Sequence, residues 1–232
     1  MWHVATKDNR IEVHVLTGFL GSGKTTLLRQ LLLDPRLLDT AILINEFGTV
    51  GIDHLLTGAM VGDVVLLGGG CVCCSIRGDV ANALRDLWVR RAKDELPPFR
   101  RVIIETTGLA DPFPVMATVA ADIALRHHFR PGKVITMVDA ANGIQTLKRY
   151  PESIQQVKAA DSLFVTKCDI AQRQERLAVR ALLQSLNPLA GIKDITQGVT
   201  GPEILLEDIH PSEEIERAGR WIRAYPVDSD TH

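Results

Sequence analysis

A glycine-rich turn between an apolar run and a helical segment constrains the fold of this chain more than any other feature. Residues 18–25 read GFLGSGKT, which fits the pattern G-x-x-x-x-G-K-[ST] at every fixed position. The apolar run Ile11–Thr17 before the turn predicts a strand, and Lys24–Leu33 predicts a helix. Glycines let backbone N–H groups converge on phosphate oxygens, and a helix N-terminus adds the positive end of its dipole. The turn therefore predicts a phosphate-binding loop; the alternative is a glycine-rich turn with an incidental lysine.

The side chains at the end of this turn carry the phosphate chemistry. The Lys24 ammonium can reach the β- and γ-phosphates of a nucleotide, which makes Lys24 a candidate catalytic residue. The Thr25 hydroxyl can ligate the Mg²⁺ ion that accompanies such phosphates. The predicted nucleotide-binding residues of this segment are Gly18, Gly21, Ser22, Gly23, Lys24, Thr25 and Thr26.

Short apolar runs alternate with helical patterns along the rest of the chain. We predict further strands at Thr40–Ile44, Asp63–Leu67, Val102–Glu105, Val134–Val138 and Ser162–Thr166, and a β-like run at Gly191–Thr196. Apolar spacing predicts helices around residues 80–88, 112–125 and 179–186, and charge predicts a last helix over Ser212–Ile222. Because this alternation implies βαβ crossovers, we predict an α/β, three-layer P-loop NTPase fold with a mostly parallel central sheet.

Composition excludes several classes of protein for this chain of 232 residues. Hydrophobic residues make up 46% and the formal net charge is −2, so neither a largely disordered chain nor a basic nucleic-acid binder is expected. No apolar run reaches the ~18 residues that a membrane span needs. The polar N-terminal segment lacks the apolar centre of a signal peptide. We therefore expect a cytoplasmic protein with reduced cysteines and with no nucleic-acid or membrane partner.

A segment after one of the later predicted strands suits a guanine base. Residues 166–169 read TKCD, close to the NKxD signature of GTPases. A carboxylate at Asp169 can accept from two adjacent N–H groups of guanine, and the stem of Lys167 can lie over the base. We assign Thr166, Lys167 and Asp169 to nucleotide binding, with Asn187 in a later loop as a weaker candidate. The alternative is a strand end with solvated charges.

Acidic residues follow two other predicted strands. Glu105 ends one apolar run, and Gly108 comes three residues later. In P-loop proteins such an acid supports Mg²⁺ or its water, and such a glycine can contact the γ-phosphate, so Glu105 is a candidate catalytic residue. The loop NEFGTVGID carries Glu46 and Asp53, which indicates a segment that switches with the bound nucleotide. The alternatives are a capping carboxylate at Glu105 and an ordinary exposed loop.

Three of the four cysteines lie in the segment GGGCVCC. Cys71 and Cys73 are separated by one residue, so both thiols can point to one side of an extended segment, and Cys74 adds a third sulfur. Three thiolates suit a soft or borderline metal such as Zn²⁺ or Cu(I), and a set one ligand short of a closed site can exchange its metal. The alternatives are packed small residues and a redox dithiol. The remaining cysteine, Cys168, is predicted to be a small buried residue.

These motifs and their order resemble those of CobW-type GTPases. The segments GFLGSGKTTLL, NEFGTVGID, GGGCVCC, ETTGLADP and TKCD follow one another between residues 11 and 190. Such proteins form part of the SIMIBI class of P-loop NTPases and are regarded as metallochaperones. Two features depart from the pattern of that family. Thr49 stands where many relatives have glutamate, and relatives usually carry a His-rich linker and a separate C-terminal domain.

The resemblance implies a set of site residues. Residues 21–26 would bind phosphates and Mg²⁺, Lys167 and Asp169 would recognise guanine, and the three clustered cysteines would bind a transition metal. The residues expected to contact Mg²⁺, directly or through water, are Thr25, Asp53 and Glu105, with Glu46 as a further candidate. We expect residues 1–190 to form the GTPase domain with its CxCC loop, and residues 191–232 to supply a terminal strand, helix and tail of the same domain. The C-terminal domain of the family is expected to be absent.

The resemblance also implies a function. It is that of a GTP-binding and GTP-hydrolysing metallochaperone that couples GTP to the binding of a transition metal and its delivery to a client metalloprotein or apo-enzyme. The expected cofactors are GTP or GDP, Mg²⁺ and Zn²⁺, with Co²⁺, Ni²⁺ and a homodimer left open. No arginine finger is visible in the nucleotide loops, so we expect intrinsic turnover far below ~1 s⁻¹. The alternatives are a metal-responsive sensor or binding module with a structural nucleotide, and a small-molecule phosphotransferase.

Overall fold

Parallel strands form the centre of the molecule. The structure is a computed structural model and describes residues 8–32, 34–44, 66–68, 76–196 and 221. Its strands are β1 (Ile11–Gly18), β2 (Thr40–Ile44), β3 (Leu66–Gly68), β4 (Arg101–Glu105), β5 (Phe129–Asp139), β6 (Ser162–Thr166) and β7 (Gly191–Asp194). All of them pair in parallel, in the order β3-β2-β4-β1-β5-β6-β7. The predicted α/β fold with a parallel central sheet is confirmed.

Helices connect the strands. Those described are α1 (Lys24–Leu32), α2 (Ile76–Ala92), α3 (Pro112–Ala121), α4 (Gly143–Arg149), α5 (Pro151–Ala159) and α6 (Arg173–Leu186), with single 3₁₀ turns at Pro35–Leu37 and Leu125–His127. The pair α4 and α5 was not predicted, because seven and nine residues hold too few apolar positions to show a period. Along the described parts of the chain, no helix combines the length and the apolar character needed to cross a bilayer.

Several element ends differ from the prediction, and two of them have a local cause. Helix α3 ends at Ala121, because the Asp122 side chain accepts from the N–H groups of Ala124 and Leu125 at 2.9 and 3.0 Å and starts a new turn. Strand β5 begins at Phe129, five residues earlier than predicted, and includes Pro131. Because proline lacks an N–H, Pro131 cannot donate a hydrogen bond to β1. The pairing of β5 with β1 shifts register next to it, between Val13 and Val15.

Alternate residues of β1 pack on opposite faces of the sheet. Val13 and Val15 lie in the core with residues of α2 and α3, whereas Leu16 packs with residues of α1. A third cluster lies between the sheet and α4, α5 and α6. Trp221 is fully buried in the first cluster, and the rest of the predicted helix Ser212–Ile222 lies outside the described residues. Helices therefore cover both faces, which leaves the strand ends for a site.

The strand registers bring several loops to one edge of the sheet. Three neighbouring pairs define this edge: Leu16 with Glu105, Gly18 with Met137, and Asp139 with Thr166. Each of these residues lies at or near the carboxyl end of its strand. Because open parallel sheets bind ligands outside the carboxyl ends of their strands, the loops after β1, β4, β5 and β6 form the expected site.

Candidate functional site

The phosphate loop is a tight turn between β1 and α1. Gly18, Gly21 and Gly23 have φ angles of 138°, 74° and 95°, a region that residues with a Cβ rarely adopt. At Gly18 a Cβ would also clash with the main-chain oxygen of Met137. The backbone geometry therefore requires the glycines of the sequence pattern.

Lys24 is buried at the start of α1. Its Nζ donates to the main-chain oxygens of Gly18 at 2.6 Å and of Phe19 at 3.3 Å. Burial lowers the pKa of this ammonium, and the nearby Glu105 carboxylate acts in the opposite direction. The lysine charge thus lies among the peptide groups of the phosphate loop, where it can meet phosphate oxygens.

Thr25 and Glu105 meet at the same place from different elements. The Thr25 hydroxyl, on the first turn of α1, donates to Oε1 of Glu105 at 3.0 Å. Glu105 ends β4 and is 5% exposed. Hydroxyl and carboxylate oxygens are the hard donors that Mg²⁺ prefers, so the two residues fit that ion by donor chemistry. The structure therefore brings Lys24, Thr25 and Glu105 together at one strand edge.

Hydrogen bonds of buried threonines connect the strand ends in this part of the site. Two of these residues, Thr17 and Thr106, were not predicted from the sequence. The Thr106 hydroxyl donates to the Thr17 hydroxyl at 2.8 Å, across the ends of β4 and β1. The Thr166 hydroxyl donates to the main-chain oxygen of Ser22 at 2.9 Å. Thr166, predicted to bind nucleotide, thus supports the phosphate loop from β6. Hydroxyl residues at the ends of apolar strands were the signal that could have found Thr17 and Thr106.

Lys167 follows β6 and is tied to the end of β5. It has a φ of 58°, and its Nζ donates to Oδ2 of Asp139 at 2.7 Å. Burial acts to raise the pKa of Asp139, but hydrogen bonds from Lys167 and Asn142 outweigh it and the pKa is lowered. The bond fixes the end of the lysine side chain. Asp139 is a site residue that sequence reasoning missed, although it directly follows the apolar run that predicted β5.

The two residues after Lys167 differ in exposure. Asp169 is exposed, so its carboxylate is accessible to a base. Cys168 is buried, as predicted, and its thiol donates to the main-chain oxygen of Val165 at 3.2 Å. Burial raises the pKa of this thiol, which favours the protonated form. Cys168 is therefore a packing residue beside an exposed acid.

Asn187 lies at the opposite edge of the sheet from the phosphate loop, between α6 and the start of β7. Its amide donates to the main-chain oxygens of Val157 at 2.8 Å and Ala160 at 2.9 Å, and its Oδ1 accepts from the N–H of Ala190 at 3.2 Å. The assignment of Asn187 to nucleotide binding is corrected: it ties the end of α5 to the end of α6. Because β7 is parallel to β6, the loop on the nucleotide side follows Asp194 instead.

The loop after β4 packs against the phosphate loop. A Cβ on Gly108 would lie 2.6 Å from the main-chain nitrogen of Leu20. From the other side, Nε2 of Gln156 on α5 donates to the main-chain oxygens of Gly108 and Ala110, each at 3.1 Å. Gly108 therefore lies beside the phosphate loop, and Gln156 is a neighbour that no sequence motif indicated.

A cavity of about 210 Å³ lies behind the phosphate loop. Its walls come from Phe19 and Ser22, from the end of β5 and from α4 and α5. The Thr136 hydroxyl, which lines the cavity, donates to the main-chain oxygen of Gln156 at 2.8 Å, whereas the buried Ser22 hydroxyl has no hydrogen-bond partner among the described residues. Asp139 and Lys167 line the cavity, whereas Thr25 and Glu105 do not, so the cavity borders the Lys167–Asp139 pair and not the Thr25–Glu105 pair.

Five predicted site residues lie outside the described part of the chain: the transition-metal ligands Cys71, Cys73 and Cys74, and the switch-segment acids Glu46 and Asp53. Within the ranges that the structure does describe, no group of three or more His, Cys, Asp or Glu side chains could hold a metal ion.

Known proteins are similar to this chain in sequence and in fold. Zinc chaperone YjiA of Escherichia coli (strain K12) is 37% identical over 190 residues, which cover 82% of this chain and 59% of that protein. Zinc-regulated GTPase metalloprotein activator 1 of Schizosaccharomyces pombe is 32% identical over 203 residues, which cover 84% and 48%. This chain therefore spans about half to three fifths of the length of these two relatives.

The fold of this chain is also similar to that of a solved structure. The crystal structure of Zn(II)-bound YjiA GTPase from E. coli matches with a TM-score of 0.63 at 30% identity, over 91% of this chain and 63% of that one. This match confirms the predicted P-loop fold. Residues 12–193 match the family model of the CobW/HypB/UreG nucleotide-binding domain. Together with the phosphate loop and the TKCD segment, these matches show that the chain belongs to the CobW/HypB/UreG family.

Proposed function

We propose that this chain binds and hydrolyses GTP and uses GTP binding to control the binding of Zn²⁺, which it delivers to a client metalloprotein. The observation that carries the proposal is the meeting of Lys24, Thr25 and Glu105, with Thr25 Oγ1 and Glu105 Oε1 3.0 Å apart. Two relatives support zinc as the metal, since one is a zinc chaperone and the other a zinc-regulated GTPase metalloprotein activator.

On the phosphate side, main-chain N–H groups of the phosphate loop would bind the β- and γ-phosphates, and Lys24 would orient them and stabilise negative charge. Thr25 and Glu105 would hold Mg²⁺, which when bound neutralises charge on the phosphate oxygens. Glu105 has a longer side chain than the aspartate more usual in this position. It therefore also suits contact with the attacking water.

On the base side, Asp169 would accept from the two adjacent N–H groups of guanine. The stem of Lys167 would lie over the base plane. Its ammonium is bonded to Asp139 at 2.7 Å, so the stem is already fixed at its far end. The exposed position of Asp169 supports this role, because an incoming base can reach its carboxylate.

On the metal side, Zn²⁺ is the cargo. The thiolates of Cys71, Cys73 and Cys74 would bind it, and sulfur ligands favour Zn²⁺ over the Co²⁺ and Ni²⁺ alternatives. GTP would order the segment 45–53 beside the cysteines and complete the site, and hydrolysis would reverse that order. Coupling of this kind is reciprocal, so zinc must change the GTP affinity by the same factor as GTP changes the zinc affinity.

The decisive experiment is a Zn²⁺ titration of the reduced protein with GDP and with a non-hydrolysable GTP analogue. We expect the two zinc dissociation constants to differ by about tenfold, within the usual range of allosteric coupling. Equal affinities would contradict coupling. Replacing Cys71, Cys73 and Cys74 together by serine should abolish tight zinc binding and leave GTP binding intact. The matched control is Cys168→Ser, which should keep the zinc stoichiometry of the wild type.

Phosphate release under multiple turnover tests the enzymatic part. We expect slow release, far below ~1 s⁻¹ in the isolated chain, since no arginine finger is visible in its nucleotide loops. Absence of any turnover, with nucleotide and zinc both bound, would favour the metal-responsive binding module in which the nucleotide is structural.

A further inference from the structure

Gln156 lies outside every sequence motif, yet its amide reaches the loop after β4. Nε2 donates to the main-chain oxygens of Gly108 and Ala110, each at 3.1 Å. The residue is 1% exposed. A primary amide carries two N–H donors on one nitrogen, and both are used here. The contact is therefore a buried clamp between α5 and a loop of the nucleotide site.

The clamp fixes two peptide planes, one before Leu109 and one after Ala110. The oxygen of Gly108 shares a rigid plane with the N–H of Leu109, and the oxygen of Ala110 shares one with the N–H of Asp111. Within the loop, the N–H of Ala110 donates to the main-chain oxygen of Thr107 at 3.1 Å. Glycine has more backbone freedom than any other residue, so a second constraint from outside the loop restricts Gly108 further. The Gln156 amide supplies that second constraint.

The helix that carries Gln156 is itself anchored to the sheet. The buried Thr136 hydroxyl of β5 donates to the main-chain oxygen of Gln156 at 2.8 Å. At the start of α5, the Ser153 hydroxyl donates to the main-chain oxygen of Tyr150 at 2.6 Å. The clamp is therefore mounted on a fixed element, which is the requirement for positioning a site to within fractions of an ångström.

The loop that is clamped has contacts on the phosphate side. It starts at Glu105, whose carboxylate accepts from the Thr25 hydroxyl. Its Gly108 is packed so closely against the phosphate loop that a Cβ would lie 2.6 Å from the main-chain nitrogen of Leu20. A shift of Gly108 therefore moves the loop relative to the place where the terminal phosphate would lie.

We propose that Gln156 is a positioning residue that holds the segment 108–110 in the geometry in which it meets the γ-phosphate of GTP. The proposal rests on the proposed function, because a γ-phosphate is present only if the chain binds GTP. GDP lacks that phosphate. Loss of the clamp therefore weakens GTP binding and leaves GDP binding nearly unchanged.

The test compares two positions on the same helix. Gln156→Met keeps the length and removes both donors, and Gln156→Glu places a carboxylate against two carbonyl oxygens. The exposed neighbour Gln155 gives the matched controls, Gln155→Met and Gln155→Glu. Dissociation constants are measured calorimetrically with Mg²⁺, for GDP and for a non-hydrolysable GTP analogue, and thermal unfolding is followed for each variant.

We expect Gln156→Met to weaken the GTP analogue about tenfold, as for loss of buried hydrogen bonds, with less than a twofold change for GDP. Gln156→Glu should weaken it further, and both Gln155 variants should match the wild type. An unchanged ratio of GTP to GDP affinity in Gln156→Met overturns the proposal, whether both affinities stay the same or both fall equally. Failure of Gln156→Met to fold would assign the residue to stability alone and likewise overturn it.

Failure of the proposed function gives a different result. In that case the wild-type protein itself would bind neither GTP nor GDP. If the wild type binds both and the Gln156 variants keep its ratio of affinities, the positioning role fails and the GTPase proposal stands.

Discussion

The phosphate side and the base side of the site are held in different ways. On the phosphate side, Lys24 and Glu105 are 9% and 5% exposed and their contacts lie inside the fold. On the base side, the Lys167 side chain is 37% exposed and Asp169 is exposed as well. The phosphate side is thus built as part of the core, whereas the base side projects side chains from a strand end into solvent.

The difference agrees with what each side is proposed to recognise. Phosphates are the same in every nucleotide, so main-chain N–H groups and one buried ammonium suffice, and both are fixed when the sheet and α1 form. A base is distinguished by the pattern of its donors and acceptors, which requires a side-chain carboxylate that a ligand can approach. Changes on the phosphate side should therefore affect all nucleotides and the fold, whereas changes on the base side should affect selectivity.

The largest effect is expected for Lys24→Ala. Loss of a buried charged partner costs about 2–5 kcal/mol, so GDP and GTP affinity should both fall by at least about 30-fold, and turnover should be abolished. Calorimetric titration with GDP, GTP and the corresponding xanthosine nucleotides checks this. The exposed Lys148 provides the control Lys148→Ala, which should bind like the wild type. Retained affinity in Lys24→Ala would remove this lysine from phosphate binding.

The next effect is a change of selectivity on the base side. Asp169→Asn replaces a double acceptor by a group that also donates, so preference should move from guanosine towards xanthosine nucleotides by about tenfold or more. Competition binding of GDP against xanthosine diphosphate measures it. Thermal stability should stay unchanged, because Asp169 is exposed. An unaltered preference would exclude Asp169 from base recognition, and Asp86→Asn on the exposed face of α2 serves as the control.

A smaller effect on stability is expected on the phosphate side from Thr106→Val. This change removes the hydroxyl that donates to Thr17 at 2.8 Å, so the buried Thr17 hydroxyl loses that hydrogen bond. The free energy of unfolding should fall by about 1 kcal/mol. Urea denaturation measures the change. The double variant with Thr17→Val should lose less than the sum of the two single variants, because both hydroxyls are then gone. Strict additivity would show that the bond contributes nothing.

The smallest effect is expected on the base side from Asp139→Asn. Solvent around the partly exposed Lys167 side chain screens the ion pair, so the loss in the free energy of unfolding should stay below about 1 kcal/mol. The pKa of Asp139 is lowered below its ordinary value of 3.8. The carboxylate therefore contributes its full stabilisation above that value and loses it as the pH falls through the lowered pKa.

Melting curves between pH 3 and pH 7 check this prediction for the Asp139–Lys167 pair. The difference in Tm between the wild type and Asp139→Asn should be constant at neutral pH and shrink in acid, at and below the ordinary pKa of the carboxyl group. A difference that grows on acidification would contradict the assigned sign.

Much of the fold could be predicted from the chain because its strands are short apolar runs. The registers then place Gly18, Glu105 and Thr166 at one edge, as the motifs implied. The prediction was wrong for Asn187, because the sequence shows that a loop precedes β7 but not at which edge of the sheet it lies. The partners of Thr17 and Gly108, which are Thr106 and Gln156, could not be predicted either, since each lies many residues away along the chain.

The sequence by itself determined the glycine pattern, the identity of the chemical groups at the strand ends and the parallel α/β fold, because these depend on local spacing and hydrophobic periodicity. The tertiary structure alone decided which groups touch. It placed the Thr25 hydroxyl on Glu105, the Lys167 ammonium on Asp139 and the Gln156 amide on Gly108. Such contacts depend on register and helix packing across the sheet, and a hydrogen bond of about 3 Å leaves no local trace in the order of residues.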